Sequence, residues 1–523
     1  MQRLQGFLST VVLVMAAAWP LCSGASPGLP SSNVAWLTVA ADSDMERAFR
    51  QAKAEGKPVL LYWGATWCPP CNQLKATLFN RQDFAAQSKA FIAVHLDGDR
   101  PAAQRLGARY KVSGYPTLIL FAPDGGEITR LPGEVDAPQV MELLQAGLAG
   151  GRPVAAILAD ARLGKPVSAN EWRMLAFHSW ETDDSGLVAA VDRPALLAEL
   201  ASECQSQAAA DAQTSARLWL RALANSDAGK GVRPDAELRL RVQRIVADAA
   251  QSRMHMDVLT SGAADIVKVL SDDGSADRDE LTAQFNAALM RLQSDASLSR
   301  GDRVSALLGR VDLARLGQAK DTTQPRLPVA LSREVRELAA QMDREIGDAY
   351  ERQAVIPAIA YLQGQAGLWA ESEALLKANL DRSVSPYYLM SQLGSNARKL
   401  GKNAEALRWY RQAFAKSEGP ATRLQWGASY VSALIDLAPT DAARIEGTVS
   451  QLFNEAARDQ GSFSERSARS LQRVGRKISG WSADGRHAAS LARLQAKLDT
   501  VCARFDTTDA QRATCLAVLP RKS

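Results

Sequence analysis

The stretch that decides the fold reads VLLYWGATWCPPC and runs from Val59 to Cys71. It contains most of a continuous apolar run over residues 58–63, which predicts a strand buried on both faces of a sheet. Helical character begins at Asn72, so the two cysteines stand between a buried strand and the start of a helix. Two cysteines separated by two residues indicate a zinc site, a structural disulfide or a redox dithiol.

The surroundings of this pair favour the redox dithiol. Structural zinc needs four ligands, usually from a second such pair or from closely spaced histidines. The sequence has no second pair, and His178, His255 and His487 are scattered. A structural disulfide rarely lies between a strand and a helix start, directly after a tryptophan such as Trp67. We therefore predict no metal and no cofactor other than the redox-active disulfide itself.

The two cysteines are expected to have different roles. At the start of a helix, residues three apart bring their sulfurs within bonding reach, and the helix dipole favours a thiolate on the first. Cys68 is thus the predicted nucleophile and Cys71 the buried resolving thiol. Trp67 shields one side of the pair, and Pro70 suits the first helical turn because its missing N–H has no partner there.

The two prolines also bear on the direction of electron flow. Pro69 and Pro70 remove two backbone N–H groups, and neither supplies a histidine cation that would stabilise the thiolate of Cys68. The pKa of that thiol should therefore be less depressed, and the oxidised pair relatively more stable. This favours a reductant or isomerase over an oxidant.

A third proline stands 48 residues after Cys68, in the stretch Gly114-Tyr-Pro-Thr117. A cis bond before Pro116 would place the Tyr115 backbone against the cysteine pair, where it could bind an extended substrate. The alternative is an ordinary proline at the start of a strand.

The pattern around these motifs predicts a small α/β domain over residues 35–147, with a central mixed sheet flanked by helices. A helix over 44–55 ends at Gly56, and a Pro-Asp-Gly-Gly turn at 123–126 joins the last two strands. The predicted strands span residues 58–63, 91–96, 117–121 and 127–131, and a closing helix spans 138–146.

After a linker at 147–153 the sequence is helical in pattern. It divides at a proline-containing loop over 321–328 into regions 154–320 and 329–520. Gly367 and Gly401 lie 34 residues apart, and the segment around the second resembles a tetratricopeptide (TPR) hairpin. The alternative for this part is an irregular helical bundle.

Three motifs together resemble the thioredoxin superfamily: residues 67–71, 114–117 and 123–125. The resemblance is to exported thioredoxin-like domains related to the C-terminal domain of the bacterial transmembrane thiol:disulfide interchange protein. It implies a thioredoxin-like fold, protein thiol or disulfide substrates, and a redox partner protein. That family often has a buried acid six residues before the first cysteine, where this chain has Tyr62. His95 falls near the place of the acid's lysine partner, so it is either a proton relay or a partly buried strand histidine.

The first 25 residues predict an export signal, because Arg3 precedes an apolar run that ends at Pro20 and is followed by small residues. A periplasmic, soluble protein without membrane insertion after signal cleavage is expected. The net charge of +5 over 523 residues predicts no nucleic-acid partner.

In an oxidising compartment each remaining cysteine is a candidate for pairing. Cys502 and Cys515 flank a short link between two helical segments and are predicted to form a structural disulfide. Cys204 reads as a buried small residue, with intermolecular pairing left open. Two functions remain: a thiol–disulfide oxidoreductase, or a helical scaffold whose thioredoxin-like domain mainly binds client proteins.

Overall fold

The computed structural model describes residues 34–112, 114–133, 136–180, 186–207, 211–226 and 231–520. The predicted export signal over residues 1–25 lies outside these ranges. Within them, no helix is both long and apolar enough to cross a bilayer.

A five-stranded mixed sheet forms the centre of the first domain. The strands are β1 (Leu37–Val39), β2 (Val59–Gly64), β3 (Ile92–Asp97), β4 (Thr117–Phe121) and β5 (Glu127–Leu131). Their order is β1-β3-β2-β4-β5, with β3 parallel to β1 and β2, β4 antiparallel to β2, and β5 antiparallel to β4. All six residues of β2 are buried, as its continuous apolar run predicts. The mixed sheet is confirmed, but β1 was missed because two of its three residues are exposed.

Five helices flank this sheet: α1 (Asp42–Glu55), α2 (Pro69–Leu74), α3 (Gln82–Gln87), α4 (Ala103–Arg109) and α5 (Ala137–Leu148). A π-helical segment, Lys75–Phe79, directly extends α2. Gly56 ends α1 in the left-handed region, at a φ of 64°, which a glycine adopts without steric cost. The predicted fold class, an α/β thioredoxin-like domain followed by a large all-helical region, is confirmed.

From Val154 onward the described residues form helices and no strand. These helices are α6 (Val154–Arg162), α7 (Ala169–Phe177), α8 (Arg193–Ser206), α9 (Ala212–Asn225), α10 (Ala236–Ala247), α11 (Ala249–Met254), α12 (Met256–Leu270), α13 (Ala276–Ser294), α14 (Arg300–Ala314), α15 (Val329–Glu345), α16 (Ala349–Gln365), α17 (Trp369–Ala378), α18 (Pro386–Lys399), α19 (Asn403–Lys416), α20 (Pro420–Leu437), α21 (Ala442–Ala456), α22 (Glu465–Trp481), α23 (Ala488–Cys502) and α24 (Ala510–Leu516).

Successive helices in the C-terminal part form close pairs. Gly367 and Gly401 occupy the turns before α17 and α19 with positive φ angles of 77° and 71°. At Gly394 in α18 a Cβ would lie 3.1 Å from the ring of Tyr410 in α19, so the absent side chain permits this approach. The tetratricopeptide resemblance and the division at 321–328 stay predictions.

Two apolar cores join the helical region to the first domain. One face of the sheet, including Leu60 and Leu120, shares a continuous apolar core with helices α5 to α9, including the fully buried Trp172. Helices α14 to α20 share another core with Trp67 and both cysteines of the motif. The cysteine pair therefore lies inside the molecule, between the two regions.

Candidate active site

Cys68 is the N-cap residue of α2, and the two prolines occupy the first two helical positions. Cys68 and Cys71 are joined by a disulfide, with their Cα atoms 5.2 Å apart. The backbone N–H of Cys71 donates to Cys68 Sγ at 3.1 Å. Because Pro69 and Pro70 have no N–H, Cys71 supplies the first backbone donor of the helix.

The motif is covered except at its prolines. The exposed fraction is 2% for Cys68, 0% for Cys71 and 9% for Trp67. Pro69 and Pro70 are half-buried. Contact of the sulfurs with solvent is thus almost absent in this conformation.

The Tyr115–Pro116 bond is cis. The Tyr115 ring meets the Trp67 ring edge to face, with centroids 5.6 Å apart, and its hydroxyl accepts a hydrogen bond from Gln104 Nε2 at 2.9 Å. A Cβ at Gly133 would lie 2.9 Å from Pro116 Cγ, so only glycine fits beside this proline without displacement. The structure thus brings the two predicted loops, at residues 67–71 and 115–116, together.

Asp99, just after β3, connects these loops to the helical region. Its carboxylate accepts hydrogen bonds from the Trp67 indole, from Thr422 Oγ1 at 2.5 Å and from Arg466 Nη1 at 3.1 Å. The Arg466 guanidinium also lies 4.5 Å from the Trp67 ring centroid and 5.0 Å from that of Tyr115. We call Asp99, Trp67, Thr422 and Arg466 the Asp99 cluster. Its ion pair is largely buried, with side-chain exposures of 10% for Arg466 and 12% for Asp99.

Further helices complete the cover. Gln353 Nε2 in α16 donates to the Trp67 carbonyl at 2.9 Å, and the Tyr388 ring in α18 stacks on Trp67 with centroids 6.0 Å apart. Gln73 Nε2 in α2 donates to Asp302 in α14 at 2.8 Å. Sequence reasoning missed these polar residues, because each stands hundreds of positions from its partner and none belongs to a local motif.

Two candidate groups for proton transfer lie on β3. His95 pairs with Tyr62 across the sheet and stacks on its ring at 5.0 Å. Burial, together with the charges of Lys75 and Arg100, lowers the pKa of His95 to about 4, so the imidazole is neutral at physiological pH. Asp97, at the end of β3 opposite Gly64, has its pKa raised by burial, and Lys75 has its pKa lowered by burial. A half-buried acid with a lysine in its field therefore exists, at positions that the sequence reasoning did not single out.

The remaining cysteines lie far from the motif in sequence. Cys502 and Cys515 are bonded, with Cα atoms 5.6 Å apart, and join α23 to α24. Cys204 is free and fully buried in α8, and burial raises the pKa of its thiol to about 12. Across the described ranges, no cluster of three His, Cys, Asp or Glu residues could hold a metal ion.

Comparison with known proteins agrees with this geometry. Residues 45–148 match the model of the thioredoxin-like domain. Over 118 residues the chain is 39% identical to thiol:disulfide interchange protein DsbD 2 of Pseudomonas aeruginosa, which covers 22% of this chain and 20% of that protein. It is 32% identical over 122 residues to DsbD 1 of the same organism, covering 23% of this chain and 21% of that protein.

Among solved structures, a thioredoxin from Thermus thermophilus is 25% identical, with 23% of this chain and 90% of that chain covered and a TM-score of 0.20. The chain spans about a fifth of the length of the DsbD proteins it matches. Residues 45–148 are therefore a thioredoxin-like domain of the thioredoxin superfamily, related to the DsbD thiol:disulfide interchange proteins.

Proposed function

We propose that the protein is an exported thiol–disulfide oxidoreductase with Cys68 as nucleophile and Cys71 as resolving thiol. The observation that carries the proposal is the Cys68–Cys71 disulfide at the start of α2, in a thioredoxin-like domain. The Trp67 ring, which meets the Tyr115 ring edge to face, gives the pair the surroundings of a substrate-binding dithiol.

The reaction starts from the reduced pair. The Cys68 thiolate attacks one sulfur of a client disulfide, whose S–S bond breaks as a Cys68–client disulfide forms. The departing client sulfur leaves as a thiolate and takes a proton. The Cys71 thiolate then attacks Cys68 Sγ, which releases the second client thiolate and restores the Cys68–Cys71 disulfide. Two electrons and two protons pass to the client, and a partner protein with a dithiol must reduce the pair again.

The capping geometry supports a reductant or isomerase over an oxidant. A thiolate at Cys68 would be stabilised by backbone N–H groups of the first helical turn, which carry the positive end of the dipole. Pro69 and Pro70 leave only the Cys71 N–H within that turn facing the sulfur. With fewer donors the reduced form gains less stabilisation, and the pair gives up electrons more readily.

Trp67, Tyr115 and Pro116 act as supporting residues in this proposal. Trp67 covers one side of the pair, and the Tyr115 backbone is available to an extended client once the helical cover moves. His95 has two interpretations from the sequence, a proton relay or a partly buried strand histidine. At a pKa of about 4 it is a weak base, and Asp97, whose pKa is raised by burial, is a second candidate for receiving the Cys71 proton.

One observation favours the second function, a scaffold that binds clients with little redox chemistry. Cys68 is only 2% exposed, so the cover must change before a large client reaches the sulfur. A Cys71→Ser variant separates the two functions. An oxidoreductase accumulates disulfide-linked clients through Cys68, which non-reducing gels detect, whereas a scaffold accumulates none.

The redox equilibrium of Cys68 and Cys71 in a glutathione buffer series tests the direction. A potential near about −270 mV, as in thioredoxin, supports a reductant that depends on an upstream electron donor. A potential near about −120 mV indicates an oxidant and overturns the argument from the two prolines. If the pair does not exchange with glutathione, the scaffold function replaces the oxidoreductase.

A further inference from the structure

One face of α22, which starts at the Asp99 cluster, carries a row of cations, and we call it the basic stripe. At about 100° per residue, the basic residues of α22 fall within about 100° of the helix circumference and extend over about 16 Å of its length. They are Arg466, Arg469, Arg473, Arg476 and Lys477. Another arc of the helix, which includes Leu471, Val474 and Ile478, is fully buried. The helix therefore separates an apolar core face from a cationic face.

Both ends of the basic stripe are paired with carboxylates. At the inner end Arg466 pairs with Asp99, within the cover of the cysteine pair. At the outer end Lys477 pairs with Asp436 of α20. Helices α4 and α20, which pack against α22, contribute no acidic side chain besides Asp436. These two helices thus supply one carboxylate, which Lys477 already shares with Arg398 of α18.

The middle of the stripe has no such partner. Arg473 and Arg476 are exposed, and neither forms an ion pair or a hydrogen bond with any residue that the structure describes. Burial, together with the positive charges of Arg476 and Arg466, lowers the pKa of the Arg473 guanidinium. These cations therefore repel one another, and an anion bound between Arg473 and Arg476 would relieve the repulsion.

The size of the unpaired part favours a short acidic polypeptide segment over other polyanions. Side chains three apart on a helix have Cβ atoms about 5–6 Å apart, so Arg473 and Arg476 match two carboxylates at a similar spacing. Alternate residues of an extended segment, about 6.6 Å apart, provide it. Nucleic-acid sites contact about 6–10 phosphates and membrane-binding clusters contain about 4–8 basic residues, which is more than two unpaired arginines offer.

We propose that the basic stripe docks an acidic segment of the protein that exchanges thiols with the Cys68–Cys71 pair. The stripe starts at Arg466, whose guanidinium lies over the Trp67 and Tyr115 rings. A segment bound along it therefore brings the rest of its protein to the cover of the pair. This inference rests on the proposed function, because it names the chemistry of a partner of the same dithiol.

The first experiment measures peptide binding to the full-length protein by fluorescence anisotropy. The probes are an eight-residue peptide of alternating glutamate and alanine and the same peptide with glutamine in place of glutamate. We expect the glutamate peptide to bind more tightly. The double variant Arg473→Gln with Arg476→Gln should weaken its binding by about two- to thirtyfold, the range for loss of two exposed ion pairs. Equal binding of the two peptides by the wild type would overturn the inference.

A second double variant, Arg411→Gln with Lys416→Gln, is the matched control. Both residues are exposed on α19, neither forms an ion pair with a described residue, and the change in net charge is the same. The affinity for the glutamate peptide should stay within about twofold of the wild type, because salt screens distant charges. Equal weakening in the two double variants would overturn the inference. So would binding of the stripe to phosphatidylglycerol vesicles without binding of the glutamate peptide, which would indicate a membrane instead.

A second experiment connects docking to thiol exchange. Peptides with two cysteines separated by two residues carry either a glutamate or a glutamine tail. Acid quenching and mass spectrometry follow reduction of the Cys68–Cys71 disulfide as the peptide dithiol is oxidised to a disulfide. At low peptide concentration the glutamate tail should raise the rate by about two- to thirtyfold in the wild type, and this gain should be lost in Arg473→Gln with Arg476→Gln. No gain in the wild type would overturn the inference.

Dithiothreitol distinguishes this result from failure of the proposed function. If dithiothreitol reduces the Cys68–Cys71 pair while the glutamate tail gives no gain, only the docking inference is wrong. If neither dithiothreitol nor any peptide reduces the pair, the oxidoreductase itself is wrong, and the inference with it.

Discussion

Arg466→Met should uncover the cysteine pair without altering it. Arg466 gives the Asp99 cluster its only cation, and its guanidinium also covers the Trp67 and Tyr115 rings. Methionine keeps most of the aliphatic stem and removes the charge. The backbone N–H of residue 466, which donates to Gln104 Oε1 at 3.0 Å, is retained.

The magnitude follows from the burial of the ion pair. Removing one partner of a buried pair costs about 3–5 kcal/mol, because the remaining charge is left without its counterion. Asp99 retains two donors, the Trp67 indole and the Thr422 hydroxyl, so we expect a smaller loss of about 2–3 kcal/mol. If separation of the helices from the motif limits access, the open fraction rises by about 30- to 150-fold.

The assay measures alkylation of Cys68 in the reduced protein by iodoacetamide, with labelled peptides quantified by mass spectrometry so that Cys204 is counted separately. The rate at Cys68 should rise in Arg466→Met, while the free energy of unfolding from urea titration falls. Arg493→Met is the matched control, because Arg493 forms an exposed pair with Glu446, at side-chain exposures of 61% and 23%. Such pairs contribute less than about 1 kcal/mol.

An unchanged alkylation rate in Arg466→Met would refute the idea that the Asp99 cluster holds the cover closed. A double variant, Arg466→Met with Asp99→Asn, adds a second check. Since it removes the unpaired carboxylate, it should be more stable than Arg466→Met alone, with a coupling energy above about 0.5 kcal/mol.

Three further predictions concern other buried groups. Burial lowers the pKa of His255 in the folded protein to about 4, whereas a histidine in the unfolded chain has a pKa of about 6.5. Between these two pH values the unfolded state binds more protons than the folded state. The free energy of unfolding therefore falls as the pH drops from 6.5 to 4. His255→Leu should remove up to about 3 kcal/mol of that loss, measured by urea unfolding at several pH values; an unaltered pH profile would contradict the assignment. Asp97→Asn should slow release of the mixed disulfide in single-turnover kinetics, because asparagine cannot take up the Cys71 proton; an unchanged rate would exclude Asp97, and slower release in His95→Leu instead would favour His95. Replacing Cys502 and Cys515 by serine should lower the free energy of unfolding by about 3 kcal/mol for a loop of this length, with no change in the potential of the redox pair. As an independent check, the wild-type protein should lose stability only under reducing conditions.

The first domain could be predicted from the sequence because its signals are local. Each of these signals lies within a few residues: the apolar run of β2, the turn at Pro123 and the cysteine pair. The continuous apolar run of β2 directly indicates a strand that is buried on both faces. Strand β1 has no such signal, since it has three residues and only Val39 is buried.

The cover of the site could not be predicted in this way. Asp99 and Arg466 are 367 positions apart, and isolated polar residues carry no periodic signal that would indicate a partner. The proton-transfer residues show a related difficulty. The family pattern directs attention to Tyr62 and His95, whereas burial in the folded chain raises the pKa of Asp97, two positions further along the same strand.

The shared core between the sheet and helices α5 to α9 makes the thioredoxin-like domain dependent on the rest of the chain. Helix α7 brings Trp172 into that core, and Ser179 N–H binds the Arg130 carbonyl on the edge strand β5 at 3.1 Å. A fragment ending at residue 148 would expose apolar side chains such as Leu144, at about 1.5–3 kcal/mol each, together with an open strand edge. We therefore expect the segment that relatives share to be unstable when it is separated from the helices that follow it in this protein.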